Sequence, residues 1–128
     1  MEKVCVIGLW HLGCVYSACL ADFGYQVIGA DTDIKRVSNL NKGIPPLFEP
    51  GLEELIAANI KAERLSYTTD IENAVCDCPY VMIAFDTPVD DNDEVDLSPV
   101  TDACKNIAPY LKTGSVLFIC SQVPVGTC

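Results

Sequence analysis

Val4-Cys5-Val6-Ile7-Gly8-Leu9-Trp10-His11-Leu12-Gly13 is the stretch that decides the fold. Four apolar residues in a row suit a strand covered on both faces, and the run stops at a glycine. A helical period begins at once, so the ten residues read as strand, tight turn and helix. Gly8 and Gly13 occupy the first and third glycine positions of a G-x-G-x-x-G turn. In a dinucleotide-binding fold the first makes the turn, the third lets helix pack on strand, and the helix N-terminus attracts a pyrophosphate. The central glycine, which lets backbone approach the phosphates, is here Trp10. An indole at that place must point away from the phosphates or block them.

Outward from the turn, two kinds of segment alternate. Val4–Ile7, Val27–Ala30, Tyr80–Phe85 and Val116–Cys120 read as buried strands, with a weaker one at Leu65–Thr68. Between them, Leu12, Val15, Tyr16, Cys19, Leu20 and Phe23 follow the spacing of one helix face, and Gly24 supplies a left-handed stop. Leu52, Leu55, Ile56 and Ile60 repeat the period. Thr69 and Glu72 have the spacing of a capping box. Ser98-Pro99 opens a further helix with Val100, Cys104, Ile107 and Leu111 on one face. Strand and helix in alternation predict an α/β, Rossmann-like open parallel sheet of about five strands with helices on both faces. Asp31 ends the second strand 23 residues after Gly8, where a carboxylate hydrogen-bonds the adenosine ribose and repels a 2′-phosphate. The expected cofactor is therefore NAD.

The chain has 128 residues, half of them hydrophobic, with 8 Lys+Arg against 18 Asp+Glu for a net charge of −10. That length suffices for one cored domain, and the apolar content argues against disorder. The acidic field disfavours a nucleic-acid partner. No stretch has the ~20 apolar residues of a membrane span, and the N-terminus lacks a leader pattern, so the expectation is a cytoplasmic domain. Eight cysteines, at 5, 14, 19, 76, 78, 104, 120 and 128, include no C-x-x-C pair and share the chain with one histidine, His11. They read as reduced, largely structural thiols, with no metal site. Asp86, Asp90, Asp91, Asp93, Glu94 and Asp96 lack the glycine and terminal glutamate of a calcium loop and read as a solvated acidic segment. His11 is either a polar helix-start residue or a phosphate contact.

Beyond the glycine turn, several segments resemble the UDP-glucose/GDP-mannose dehydrogenase family, specifically its N-terminal NAD-binding domain. They are Val6-Ile7-Gly8 with Gly13, Val27-Ile28-Gly29-Ala30-Asp31, Leu40-Asn41-Lys42-Gly43, and Phe48-Glu49-Pro50-Gly51-Leu52-Glu53-Glu54-Leu55. Thr68-Thr69-Asp70, Thr87-Pro88-Val89-Asp90, Asp96-Leu97-Ser98, Pro109 to Gly114, and Ser121 with Pro124-Val125-Gly126-Thr127 continue it. Such enzymes oxidise the 6-hydroxymethyl of a UDP- or GDP-sugar to a carboxylate with two NAD and a cysteine thioester. The resemblance implies that Asp31 and Arg36 hold the adenosine ribose and that Gly8, Leu9, Trp10, His11, Leu12 and Gly13 face the pyrophosphate. It places Thr87 beside the cofactor and Gln122 where the family carries a threonine near the reacting centre. It also implies that residues 1–128 are the dinucleotide-binding domain, ending before the central and sugar-nucleotide-binding domains, with no catalytic residue of its own. A homodimer of the full-length form is possible on the same ground. Trp10, Asp86 and Gln122 depart from the family pattern. They keep a second reading open, a Rossmann-like module that has lost dinucleotide binding and serves as an interaction or regulatory domain.

Overall fold

The computed structural model describes residues 2–84 and 98–120, with the side chains of 98 and 99 left aside. Five strands, β1 (Lys3–Ile7), β2 (Gln26–Ala30), β3 (Leu65–Thr68), β4 (Tyr80–Ile83) and β5 (Val116–Ile119), form one sheet in the order β3-β2-β1-β4-β5. Every neighbouring pair is parallel. The α/β sheet expected from the alternation is present, with Phe85 of the fourth expected strand outside the described residues. The helices are α1 (His11–Asp22), α2 (Ile34–Asn41), α3 (Leu52–Lys61), α4 (Ile71–Asp77) and α5 (Ser98–Ile107), the last running on into a 3₁₀ turn at Ala108–Tyr110.

Alternate side chains of the inner strands β1, β2 and β4 feed two cores, while the edge strands β3 and β5 each feed one. Val4, Val6, Val27, Leu65 and Tyr67 meet α1, α2 and α3 on one face. Cys5, Ile7, Val81 and Ile83 meet α4 and α5 on the other. Burial on both faces is why β1, β2 and β4 lack polar alternation, whereas β3, at the sheet edge, alternates Leu65 and Tyr67 with Ser66 and Thr68. The chain lays β1, β2 and β3 in one direction, then returns across β1 to place β4 and β5 on its far side. Such a reversal opens a crevice above the carboxyl ends of the two central strands. Gly8 follows β1 there, and Ala84, whose N–H donates to Ile7 O at 2.9 Å, follows β4.

Two local expectations are corrected. The face of α1 that meets the sheet is Gly13, Cys14, Ser17, Ala18 and Ala21, not the stripe from Leu12 to Phe23. Leu12, Val15, Tyr16, Cys19 and Leu20 are partly exposed, and Phe23 is 81% exposed. A helix that starts within a glycine turn lies close to its strand, so small residues occupy the contact and the large apolar ones flank it. Gly24, at φ +107°, ends the helix as expected. The cap of α4 is Asp70 rather than Thr69: its carboxylate accepts from Asn73 N–H at 3.2 Å. Thr68 Oγ1 in turn accepts from Asp70 N–H at 3.0 Å, which moves the helix start one residue along.

No helix among the described residues is long and apolar enough to cross a membrane. None of the seven described cysteines is in a disulfide, and no group of three or more His, Cys, Asp or Glu side chains among these residues could hold a metal ion. The acidic segment between Asp86 and Asp96 lies outside the described residues.

Candidate cofactor site

The site is built from the turn between β1 and α1 and the end of β2. Gly8, at φ +94°, makes the turn in a conformation that side chains disfavour, and its N–H donates to Ala30 O at 3.0 Å. Gly13 is packed against that turn so closely that a Cβ on it would stand 1.7 Å from Gly8 O. The third glycine is thus required by close helix–turn packing. Leu9 turns its side chain into the core, where it is fully buried. Its backbone N–H donates to Asp31 Oδ2 at 2.8 Å, so the acid that ends β2 also braces the turn.

Asp31 is 8% exposed and held on three sides. Besides Leu9 N–H, Oδ2 accepts from Arg36 Nη1 at 3.2 Å, while Oδ1 accepts from Asp33 N–H at 3.0 Å. Arg36 enters because α2 begins at Asp33, whose carboxylate caps the helix by accepting from Arg36 N–H at 3.0 Å. The guanidinium also lies 3.8 Å from Asp33 Oδ2 and 4.8 Å from the centre of the Trp10 ring. Trp10 precedes α1 and is 40% exposed, with its indole against Arg36. His11 and Leu12 form the first turn of α1, both partly exposed. His11 Nε2 is 3.7 Å from Glu49 Oε2 in the Glu-Pro-Gly segment.

Of the residues singled out in the sequence, Gly8, Leu9, Trp10, His11, Leu12, Gly13, Asp31 and Arg36 are brought to one end of the sheet. Thr87, Gln122 and Asp86 lie outside the described residues. Sequence reasoning missed Asp33 and Glu49 as neighbours of the turn. Asp33 was legible, since an aspartate three residues before Arg36 is a capping signal. Glu49 carries no local signal, because only the folded chain brings it to His11.

The residues present suit a dinucleotide. The glycine turn opens a helix of twelve residues at a sheet switch point, the combination that favours a pyrophosphate. Asp31 Oδ1, with one backbone donor, keeps a lone pair for a ribose hydroxyl.

A parallel sheet with this turn at its reversal and a carboxylate closing the second strand defines a dinucleotide-binding domain of Rossmann type. Residues 2–128 match the NAD-binding domain of the UDP-glucose/GDP-mannose dehydrogenase family. The chain belongs to that family. It is 42% identical to UDP-glucose 6-dehydrogenase of Rhizobium meliloti over 98% of its own length and 29% of the relative's. Against a UDP-glucose 6-dehydrogenase of Bacillus subtilis the identity is 37%, over 99% of this chain and 28% of that one. The solved GDP-mannose dehydrogenase of Pseudomonas aeruginosa, a ternary complex, superposes with a TM-score of 0.90 at 33% identity, over 97% of this chain and 29% of the other. A UDP-glucose dehydrogenase from Pyrobaculum islandicum gives 0.92 at 31% identity, over 99% of this chain and 30% of the other. The chain therefore spans less than a third of the length of these relatives.

Proposed function

We propose that this domain serves as the cofactor half of a nucleotide-sugar 6-dehydrogenase acting on a UDP- or GDP-sugar. The observation that carries the proposal is the Asp31 carboxylate, fixed between the glycine turn and Arg36 at the mouth of the crevice. In this reading Asp31 and Arg36 hold the adenosine ribose, and the turn from Gly8 to Gly13 faces the pyrophosphate. Thr87 stands beside the cofactor and Gln122 near the reacting carbon. NAD supplies the hydride acceptor for the sugar C6. The cysteine nucleophile and the sugar-nucleotide site are assigned to other domains, in an assembly that is a homodimer.

The test is a calorimetric titration of the 128-residue chain with NAD, paired with thermal unfolding. At 100 times its dissociation constant a ligand stabilises the fold by about 2.7 kcal/mol. Saturable heat and an upward shift in Tm are the expected result, both weakened by Asp31→Ala. An unchanged Tm at millimolar NAD would leave an interaction module in place of a cofactor domain.

A further inference from the structure

Three independent restraints close on one guanidinium. Arg36 Nη1 is 3.2 Å from Asp31 Oδ2, its Nη2 is 3.8 Å from Asp33 Oδ2, and its Cζ lies 4.8 Å from the Trp10 ring centre. The third restraint is unexpected, since a dinucleotide turn ordinarily carries glycine at that place and offers an arginine no ring. Arginine stacks well on aromatic faces because its charge is spread over a flat, weakly hydrated group, and tryptophan is the strongest partner. The ring is also well placed to be held: Trp10 is the residue before α1, and its carbonyl accepts from Cys14 N–H at 3.1 Å, which fixes the backbone from which the indole projects.

An arginine at this point of the fold has two possible uses. Kept against the acid, it braces a carboxylate that reads ribose hydroxyls; swung outward, it accommodates a 2′-phosphate. We propose that Trp10 is a positioning residue that decides between them. Stacked on Arg36, the indole holds the guanidinium against Asp31 and withholds it from a 2′-phosphate, so the residue in place of the central glycine sharpens selection of NAD over NADP. Asp31 excludes the extra phosphate by its own charge, and Trp10 removes the cation that would compensate it. The inference rests on the dinucleotide reading of the site.

Trp10 is the sole tryptophan of the chain, which permits a test in two parts. Without cofactor, Arg36→Ala should shift or brighten tryptophan emission with the far-ultraviolet circular dichroism unchanged; identical emission would mean that no stack exists in solution and overturn the proposal. Calorimetry then gives dissociation constants for NAD and NADP with the native chain, Trp10→Phe and Trp10→Ala. The loss of an exposed stack should narrow the NAD-to-NADP ratio by about twofold to fivefold in Trp10→Ala. Trp10→Phe, which keeps a ring over the guanidinium, should hold the ratio near its native value. If Trp10→Ala strengthens both cofactors equally, the indole is only an obstruction and the proposal falls. It falls equally if NADP stays undetectable in that variant while NAD binds. If neither cofactor binds any of the three proteins, the dinucleotide reading itself fails and takes this inference with it.

Discussion

Gly29 sits in the middle of β2, where a glycine usually weakens a strand, and its reason lies on the neighbouring strand. A Cβ on it would stand 2.4 Å from Cδ1 and 2.6 Å from Cε1 of Tyr67. That ring is almost fully buried, and its hydroxyl pairs with Ser17 Oγ of α1 at 3.0 Å. Burial pushes the Tyr67 hydroxyl well above the ordinary phenol range, so it stays a neutral hydrogen-bonding group. The ring therefore fills the space that a side chain at 29 would need, beneath the turn that carries the site. Gly29→Ala is expected to cost about 2 kcal/mol through overpacking, read as a lower urea midpoint. In a Tyr67→Val background the same change should cost much less. A double-mutant cycle without coupling would show that the clash is relieved elsewhere. Gly29 belongs to the segment that suggested the family, yet its physical role was illegible, because the sequence does not say which aromatic faces it.

At the scale of elements, side-chain amides join the pieces. Asn41 at the end of α2 uses its side chain as a strand would: Nδ2 donates to Tyr67 O at 3.0 Å and Oδ1 accepts from Tyr67 N–H at 3.1 Å. This occupies part of the free edge of β3, a position open to unwanted pairing. Asn59 in α3 is fully buried; it donates to Leu55 O at 2.9 Å and accepts from Arg64 Nη2 at 3.0 Å. Arg64 Nε reaches Ala21 O at 3.1 Å, so α3, the entry to β3 and the end of α1 are tied at one point. Removing the amide leaves a partly buried guanidinium short of an acceptor, and bonds to charged groups are worth about 1.5–3 kcal/mol. Asn59→Ala should therefore destabilise by about 2 kcal/mol in urea. Asn59→Leu should cost as much despite its volume; rescue by leucine would assign the effect to a cavity. The period of α3 was legible from Leu52, Leu55, Ile56 and Ile60, whereas its polar residue at the same face was not.

Over the whole molecule, two cores bury small groups against the sheet, cysteines among them. Cys5, Cys14 and Cys78 are fully buried. Burial raises the Cys14 thiol from the ordinary 9.0 to about 12 and the Cys78 thiol to about 11, and pushes Cys5 up further. Each is a group that ionises more easily in the unfolded chain, so the unfolded state binds fewer protons above pH 9. Stability is then full below pH 9 and falls as pH rises toward about 11 to 12. Urea midpoints at pH 7, 9 and 10.5 should decline in that order, and Cys78→Ala should flatten the slope. In the folded protein these three thiols should resist alkylation at pH 8, and unfolding should expose them. The expectation of structural thiols is supported by this burial at Cys5, Cys14 and Cys78.

Local pattern determined the class of this protein. Apolar runs of four or five residues, the helical periods between them, the Gly8–Gly13 turn and Asp31 closing the second strand specify a parallel sheet and mark its switch point, because each acts through neighbours close in sequence. Tertiary structure decided the rest. The face α1 buries follows from how near the glycine turn brings it to β1, and hydrophobicity along the helix carries no measure of that distance. The Trp10 indole meets Arg36 because the parallel pairing of β1 with β2 brings the start of α2 beside the turn. The pairing of His11 with Glu49, the ring that demands Gly29 and the acid that braces Leu9 likewise join segments far apart in the chain. Contacts of that kind are set by packing geometry in three dimensions, which a linear period does not encode.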